Sequence, residues 1–491
     1  MKRIILGLCL AGLLAGSASC SKWMDLKPQD GIVGDEYWQT KEQVESAVIG
    51  IYSSIQVGNL PEYFFIWGEA RADMVAPGFR ASQDEHDIVN LNMLPTNSFA
   101  NWRGVYQTIN YCNTLLQKAP GVLEKDNTFS QGLLDRSVGE ALAIRALMYF
   151  YLLRTFGEVP LKLDATLSDQ DIVFPPKASR DQVLDQVVAD LKKAEGAVPA
   201  TYGNRDEDKG RITRAAVNSL LADVYLWRDR YGEAAAECDK VITSGRFGLV
   251  SAANYFNRVF LEGNSAEGIF ELQYDAQMLN PFYGLHSPAQ KRWEAAGHLA
   301  ESVYGIDLVN TVPLADVRGD KASFRSTDNT IWKYVGGDNA GTNLRPLEEN
   351  DAHWIFYRYA DVLLMKAEAL NEQGQPLEAS RIVKTIRQRA GALELKPMDS
   401  TSQAAMADFI LEERQREFAF EGKRWFDALR NAKRGNYARL HLLTAMASVS
   451  VPSERLQPAL NKLRDTASHY FPIYVYELQT NKQLVQNPFY K

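Results

Sequence analysis

The chain is short of cysteine, carries no surplus of positive charge, and lacks any long apolar run beyond its first residues. Its 491 residues include four cysteines. Cys9 sits inside an N-terminal apolar stretch and Cys20 at its end, which leaves Cys112 and Cys238 for the body of the protein. Two thiols in so long an exported chain do not make a disulfide framework. Both fall at apolar positions of predicted helices, where buried free thiols are expected. Lysine and arginine number 54 against 61 acidic residues, for a net charge of −7, whereas a nucleic-acid binder would normally present a basic surface. No later apolar run reaches the roughly 20 residues of a spanning helix. HExxH, a phosphate-binding glycine loop and GxSxG are also missing, and with them the usual marks of several enzyme classes. Asp84-Glu85-His86-Asp87 offers metal-ligand residue types, but at no metal-site spacing, and reads as a solvated polar loop. A glycosidase needs only two carboxylates. A distant pair such as Glu62 and Asp351 would serve, so a hydrolase stays open as an alternative.

The N-terminus is a targeting segment. Lys2 and Arg3 precede an apolar core from Ile4 to Leu14, and Ser17, Ala18 and Ser19 lead to Cys20. That is the order of a secretory signal peptide, here residues 1–19. A Cys closing the small-residue run resembles a bacterial lipobox, in which the Cys becomes the lipidated first residue of the mature protein. Two or more acyl chains (palmitate among them) would anchor the protein stably, since a single chain binds only marginally. The alternative is an ordinary signal peptide cut nearby.

The rest reads mostly as helix. Asp35 to Gln56 fits one, with Thr40 as N-cap and Val44, Val48, Ile51 and Ile55 on one face. Ser98 to Lys118 carries Trp102, Val105, Ile109, Cys112 and Leu115 at helical spacing. Leu133 to Phe156 is apolar nearly all round, which marks a helix buried between layers; Gly157 and Pro160 end it. Ser179 to Glu195 is amphipathic. Thr213 to Arg228 and Tyr231 to Ser244 form a hairpin with the spacing of a tetratricopeptide unit, and Tyr359 to Ala390 forms a second. Between Phe247 and Trp354 the periodicity fails, apart from a short strand at Ile269 to Tyr274. Aromatic residues stay dense there, which argues against disorder. A long loop-rich stretch held on helices is usually functional.

Several segments together resemble the SusD/RagB family of surface lipoproteins. Cys20 to Pro28 looks like that family's lipidated Cys followed by an aromatic-hydrophobic-Asp turn. Gly139 to Ala146, with Tyr149-Phe-Tyr and the exit Phe156 to Leu161, is close to another signature, as are Gly210 to Val217 with Leu221 to Leu226. Tyr357 to Asn371, Glu412 to Glu417, Phe420 to Trp425 and the closing run from Pro472 to Tyr490 complete the series in order. The resemblance implies a mainly α fold of tetratricopeptide-like hairpins forming a superhelical scaffold, with an irregular ligand-binding region alongside. It divides the chain into an N-terminal section at 20–230 and a C-terminal section at 260–491. It further implies an outer-membrane, lipid-anchored protein, facing outward, that is not an enzyme and uses no cofactor. Such a protein captures oligosaccharide or polysaccharide and passes it to a SusC-like TonB-dependent transporter. Oligopeptide is the alternative ligand, and a protein-protein scaffold without a small ligand is a third reading.

Arg145, Arg214, Arg358 and Arg424 sit beside buried helix faces and read as scaffold, where a guanidinium satisfies several acceptors at once. Glu412 and Arg416 are spaced to pair on one helix face. Trp38, Trp102, Trp227 and Trp425 lie at core spacing, Trp23 lies near the lipid anchor, and Trp354 enters the helix that follows. For the ligand, aromatic rings in loops are the expected platform, because a sugar's C–H face stacks on a ring. The candidates are Trp67, Tyr283, Trp293 and Trp332, with Arg80 as polar partner.

Overall fold

The computed structural model describes residues 37–305 and 316–491. The expected signal peptide, Cys20, Trp23 and the start of the helix expected from Asp35 lie outside the described residues. Helix α1 (Lys41–Gln56) buries Val44, Val48, Ile51 and Ile55. Thr40 stands at its N-cap, and the Thr40 N–H donates to Gln43 Oε1 at 3.0 Å. Next come α2 (Leu60–Glu69), α3 (Arg103–Lys118) and the central α4 (Gln131–Phe156), whose residues are buried from Gly139 onward without a break. α4 ends at Gly157, whose φ of +80° lies in the range that favours glycine. Ser179 caps α5 (Arg180–Ala197), accepting from Gln182 N at 3.2 Å. The predicted hairpin follows as α6 (Arg214–Trp227) and α7 (Tyr231–Thr243). Later helices are α8 (Tyr359–Glu372), α9 (Pro376–Ala390), α10 (Gln403–Glu417), α11 (Arg424–Tyr437), α12 (His441–Ser450) and α13 (Ser453–Leu463).

Packing follows a simple path. α1 lies on α3, α3 on α4, α4 on α5, α5 on α6, α6 on α7, α7 on α8 and α8 on α9. The chain therefore leaves a continuous tetratricopeptide-like stack after α7, makes the irregular section, and rejoins the stack at α8. Small side chains permit the close crossings: Ala222, Ala234, Ala367 and Ala379 are all fully buried. Cys112 and Cys238 are free and buried, one in each half of this stack.

Among the described residues, strands occur as three two-stranded antiparallel ribbons, and none joins another. β1 (Val75–Pro77) pairs with β5 (Trp293–Ala295), β2 (Val159–Pro160) with β3 (Lys177–Ala178), and β4 (Gly268–Leu272) with β6 (Trp354–Arg358). The β4–β6 ribbon stitches the two ends of the irregular section together, and β6 runs directly into α8.

Three sequence-based expectations need correction. Ser98 to Lys118 is not one helix. A single tight turn spans Ser98–Ala100, and α3 begins only at Arg103, because Asn97 and Asn101 turn the backbone by accepting from Phe99 N and Arg103 N. Trp354 opens strand β6 rather than a helix, since its neighbours Ile355, Phe356 and Tyr357 are buried on both faces. Arg214 is exposed at the first position of α6, unlike Arg145, Arg358 and Arg424, which are buried.

Besides these short ladders, the irregular section is held by buried ion pairs. Glu417 on α10 receives Arg318 at 2.9 Å, Arg358 at 2.7 Å, and also Arg389. Arg358 reaches Glu267 and Glu421 at 3.0 Å each, and Lys333 reaches Glu421 at 2.8 Å. The three cations hold the Glu417 carboxyl far below the usual carboxylate range despite its burial. Such clusters contribute less to net stability than to a unique geometry, because desolvation offsets much of the attraction. Here they fix loops 316–333 and strand β6 against α10.

Candidate functional site

The β1–β5 ribbon carries one part of the loop region out to the surface. Its register is Val75↔Ala295, Ala76↔Glu294 and Pro77↔Trp293. The ladder continues past the strands, with Gly78 N donating to Arg292 O at 2.9 Å and Arg80 N to Lys291 O at 3.3 Å. Gly78 is required: a Cβ there would lie 2.1 Å from the Lys291 carbonyl oxygen. The tip of the ribbon presents Phe79, which is 69% exposed. An exposed Phe at the tip of a pinned turn is an available ring face and does no packing.

Beside it, Arg80 is exposed and donates from Nη1 to Gln290 Oε1 at 2.8 Å. The segment after the short helix Phe282–His286 folds back on that helix, since Arg292 N donates to Leu285 O at 2.9 Å and Lys291 N to Ser287 O at 2.7 Å. Tyr283 sits half-buried on this helix. Asn280 ties the preceding loop to the one ending at Asn350 (N to O, 3.0 Å), and these two loops expose Leu279 and Leu347. Arg80 and Tyr283 are therefore brought onto one loop assembly, together with Phe79, Leu279 and Leu347.

The base of this face is charged. Arg292 reaches Glu62 on α2 at 2.7 Å and the buried Glu85 at 2.8 Å. Burial pushes the Glu62 carboxyl up, and Arg292 pulls it back only in part. Glu85 also accepts from Ser82 N at 2.6 Å, so the short helix Gln83–Val89, which stands where a solvated polar loop was expected and buries Glu85, is pinned to α2 through one guanidinium. Behind it, His286 is wholly buried against Phe65 (4.8 Å between ring centroids) and stacked near Tyr334 (5.7 Å). Burial drives its imidazole down to about 3.

The three candidate tryptophans are placed differently. Trp67, Trp293 and Trp332 are each 0% exposed and present no face to solvent. Trp67 packs edge-on to Phe156 at 5.5 Å and donates from Nε1 to Phe99 O at 2.9 Å. Trp293 points inward from β5 to Phe65 (6.2 Å). Trp332 belongs to a separate cluster with Tyr255, Phe256 and Phe260, and its Nε1 donates to Asp338 O at 2.6 Å. Trp67, expected outside the helices, is packed in helix α2, and Trp293 on β5 and Trp332 on the short helix Trp332–Val335 are buried likewise, so the exposed apolar side chains of this region are others, Phe79, Leu279 and Leu347. Phe79, missed from sequence, had a readable signal: a Pro-Gly turn at 77–78 followed at once by a ring. Leu279 and Leu347 had none, because their exposure depends on loop pairing.

The residues weighed for catalysis are occupied structurally. Asp84 Oδ2 accepts from Ser98 N and Oγ, Asp87 accepts from Gln83, and Asp351 pairs with Arg345. Among the described residues no group of three or more His, Cys, Asp or Glu is arranged to hold a metal. Among them, too, no helix is long and apolar enough to cross a membrane.

A second concavity, of about 730 Å³, lies away from the loop face between α1, the α1–α2 turn and α3. A third, of about 420 Å³, lies on the other side of α3 against residues 160–175 and 477–484.

Comparison with known proteins places this geometry in context. Residues 22–226 match the family profile "Starch-binding associating with outer membrane", and residues 324–490 match the SusD family profile. A SusD-like protein of Formosa agariphila is 27% identical, over 84% of this chain and 88% of its own. Among solved structures, a SusD superfamily protein from Bacteroides vulgatus superposes with a TM-score of 0.74 at 22% identity, covering 92% of this chain and 100% of that one. A laminarin-binding SusD-like protein gives 0.70 at 21% identity, again over 92% and 100%. At these identities the superpositions establish the fold alone.

Proposed function

Since the chain belongs to the SusD family, whose members are binding proteins associated with the outer membrane, we propose that it captures oligosaccharide or polysaccharide at the cell surface. It then hands the glycan to a SusC-like TonB-dependent transporter. The observation that carries this reading is the loop face, where Phe79 and Arg80 stand at the end of a ribbon that Gly78 allows to close, and Tyr283 stands on the helix Phe282–His286 against which Arg292 folds back. A ring with a free face stacks on sugar C–H groups, and a neighbouring guanidinium selects hydroxyls. A few contacts of about 0.5–1.5 kcal/mol each suit weak, reversible capture, and release to a transporter requires weak binding. The starch-binding description of the N-terminal profile and the laminarin ligand of one structural relative support a neutral glucan as first choice.

Cys20 would carry the lipid that tethers the body to the membrane. Tethering beside the transporter raises their effective concentration whatever their free affinity. Two experiments test these parts. Metabolic labelling with a palmitate analogue should be lost in Cys20→Ala, and labelling that persists contradicts the anchor. Affinity purification from native membranes should bring down a β-barrel transporter, and its absence contradicts the hand-over.

A further inference from the structure

The 730 Å³ groove over α1 and α3 is not part of the loop face, and its lining has a definite chemistry. Its volume falls within the roughly 300–1,000 Å³ of small-molecule sites. Tyr37, Tyr63 and Tyr111 reach it from three different elements, and each hydroxyl is engaged. Tyr37 donates to Gln43 O at 3.0 Å, Tyr63 to Ser98 O at 3.1 Å, and Tyr111 accepts from Gln107 Nε2 at 2.8 Å. Tyr63 is further wedged between Trp67 (5.3 Å) and Phe99 (5.6 Å). The rings are held before any ligand arrives, so little rotamer freedom is lost on binding.

Between the rings the wall offers hydroxyls and amides of Ser53, Asn59, Gln107 and Thr114, and among the described residues the one charged lining residue is Arg103. Among the described residues no carboxylate lines it, which disfavours a cationic ligand. Gln107 and Thr114 already donate to Tyr111 and Asn110, but a purely apolar partner would leave their remaining acceptor capacity unmet. The space is open, since a Cβ added at Gly50 or Gly58 would meet nothing within 4 Å.

We propose that this groove is a second carbohydrate site that takes a neutral oligosaccharide, separate from the loop face. The proposal rests on the reading of the chain as a glycan binder. α2 is the wall shared by the two sites: Tyr63 lines the groove, while its neighbour Glu62 holds Arg292 under the loop face. One polymer touching both would be held by two weak contacts, the second made at high effective concentration.

The test uses the lipid-free mature chain from Ser21, titrated calorimetrically with maltohexaose and laminarihexaose at millimolar concentration. With the loop face disabled by Phe79→Ala and Tyr283→Ala, the chain should still bind one of them. Adding Ser53→Trp, which fills the groove, should weaken that residual binding at least tenfold. Tyr111→Ala, at an exposed ring, should weaken it severalfold and serves if Ser53→Trp disturbs folding. No heat from the loop-disabled chain with either sugar overturns the proposal. So does residual binding that survives both groove substitutions, which places the bound sugar elsewhere. Binding that is indifferent to the loop substitutions yet lost with Ser53→Trp removes the loop-face reading and leaves the groove standing.

Discussion

Replacing His286 with Phe separates the chemistry of the loop-face foundation from its shape. The imidazole is 0% exposed, and its helix carries Tyr283. Burial lowers its pKa from 6.5 to about 3, and Arg292 pushes in the same direction. The sign follows from proton uptake. Below pH 6.5 the unfolded chain binds a proton that the folded chain refuses until about pH 3, so stability is complete above 6.5 and falls as pH drops through that window. At pH 4 the gap is about 2.5 units, which at 1.36 kcal/mol per unit is roughly 3.4 kcal/mol. Phe cannot take up that proton and can occupy the same slot between Phe65, Phe282 and Tyr334. The stability difference between variant and wild type should therefore move by about 3 kcal/mol in favour of the variant from pH 7 to pH 4. For a chain of this length that is about 3–4 °C in Tm. Denaturant titrations of both proteins at pH 4, 5, 6 and 7, followed by tryptophan fluorescence, measure it. A difference independent of pH to within about 1 kcal/mol would refute a buried neutral imidazole.

Glu69 gives the opposite slope: burial raises its carboxyl to about 8 although Gly422 N and Lys423 N donate to it. The unfolded chain releases that proton above about pH 4.5 and the folded chain keeps it to about 8, so stability falls across this window by up to about 4–5 kcal/mol. Glu69→Gln should flatten the loss, as thermal melts from pH 5 to 8 will show. Arg358→Met leaves Glu267, Glu417 and Glu421 short of a counter-charge and should cost about 3–5 kcal/mol in a denaturant titration. Gly78→Ala drives a methyl into the Lys291 carbonyl; it should cost about 1–3 kcal/mol and weaken glycan binding, with little effect on far-UV circular dichroism.

The helical stack was legible because its signals are local. Capping by Thr40, the all-round apolarity of α4 and the amphipathic stripe of α5 are written in spacings of three and four residues. The buried thiols Cys112 and Cys238, and the packing roles of Trp38, Trp102, Trp227 and Trp425, followed from the same periodicity. What was not legible depends on pairing between remote segments. The β1–β5 ribbon joins residues more than 200 positions apart, and its strands are three residues each. The irregular section draws its rigidity from Arg318, Lys333 and Arg358 meeting carboxylates of α10 and the turn after it. No local pattern marks such partners. Trp293 and Trp332 show the cost of reading aromatics in an irregular section by type alone, and Trp67 lies inside helix α2. A large indole in a loop is as well suited to anchoring the loop as to meeting a ligand, and only burial decides between them.

The most direct test of the account is a calorimetric titration of the mature chain from Ser21 against matched panels of glucan oligosaccharides and oligopeptides. The account predicts saturable binding of a glucan class in the micromolar to millimolar range, weakened about tenfold by Phe79→Ala and unchanged by Trp332→Phe. Binding confined to peptides, or glucan binding indifferent to Phe79, Arg80 and Tyr283, would contradict it.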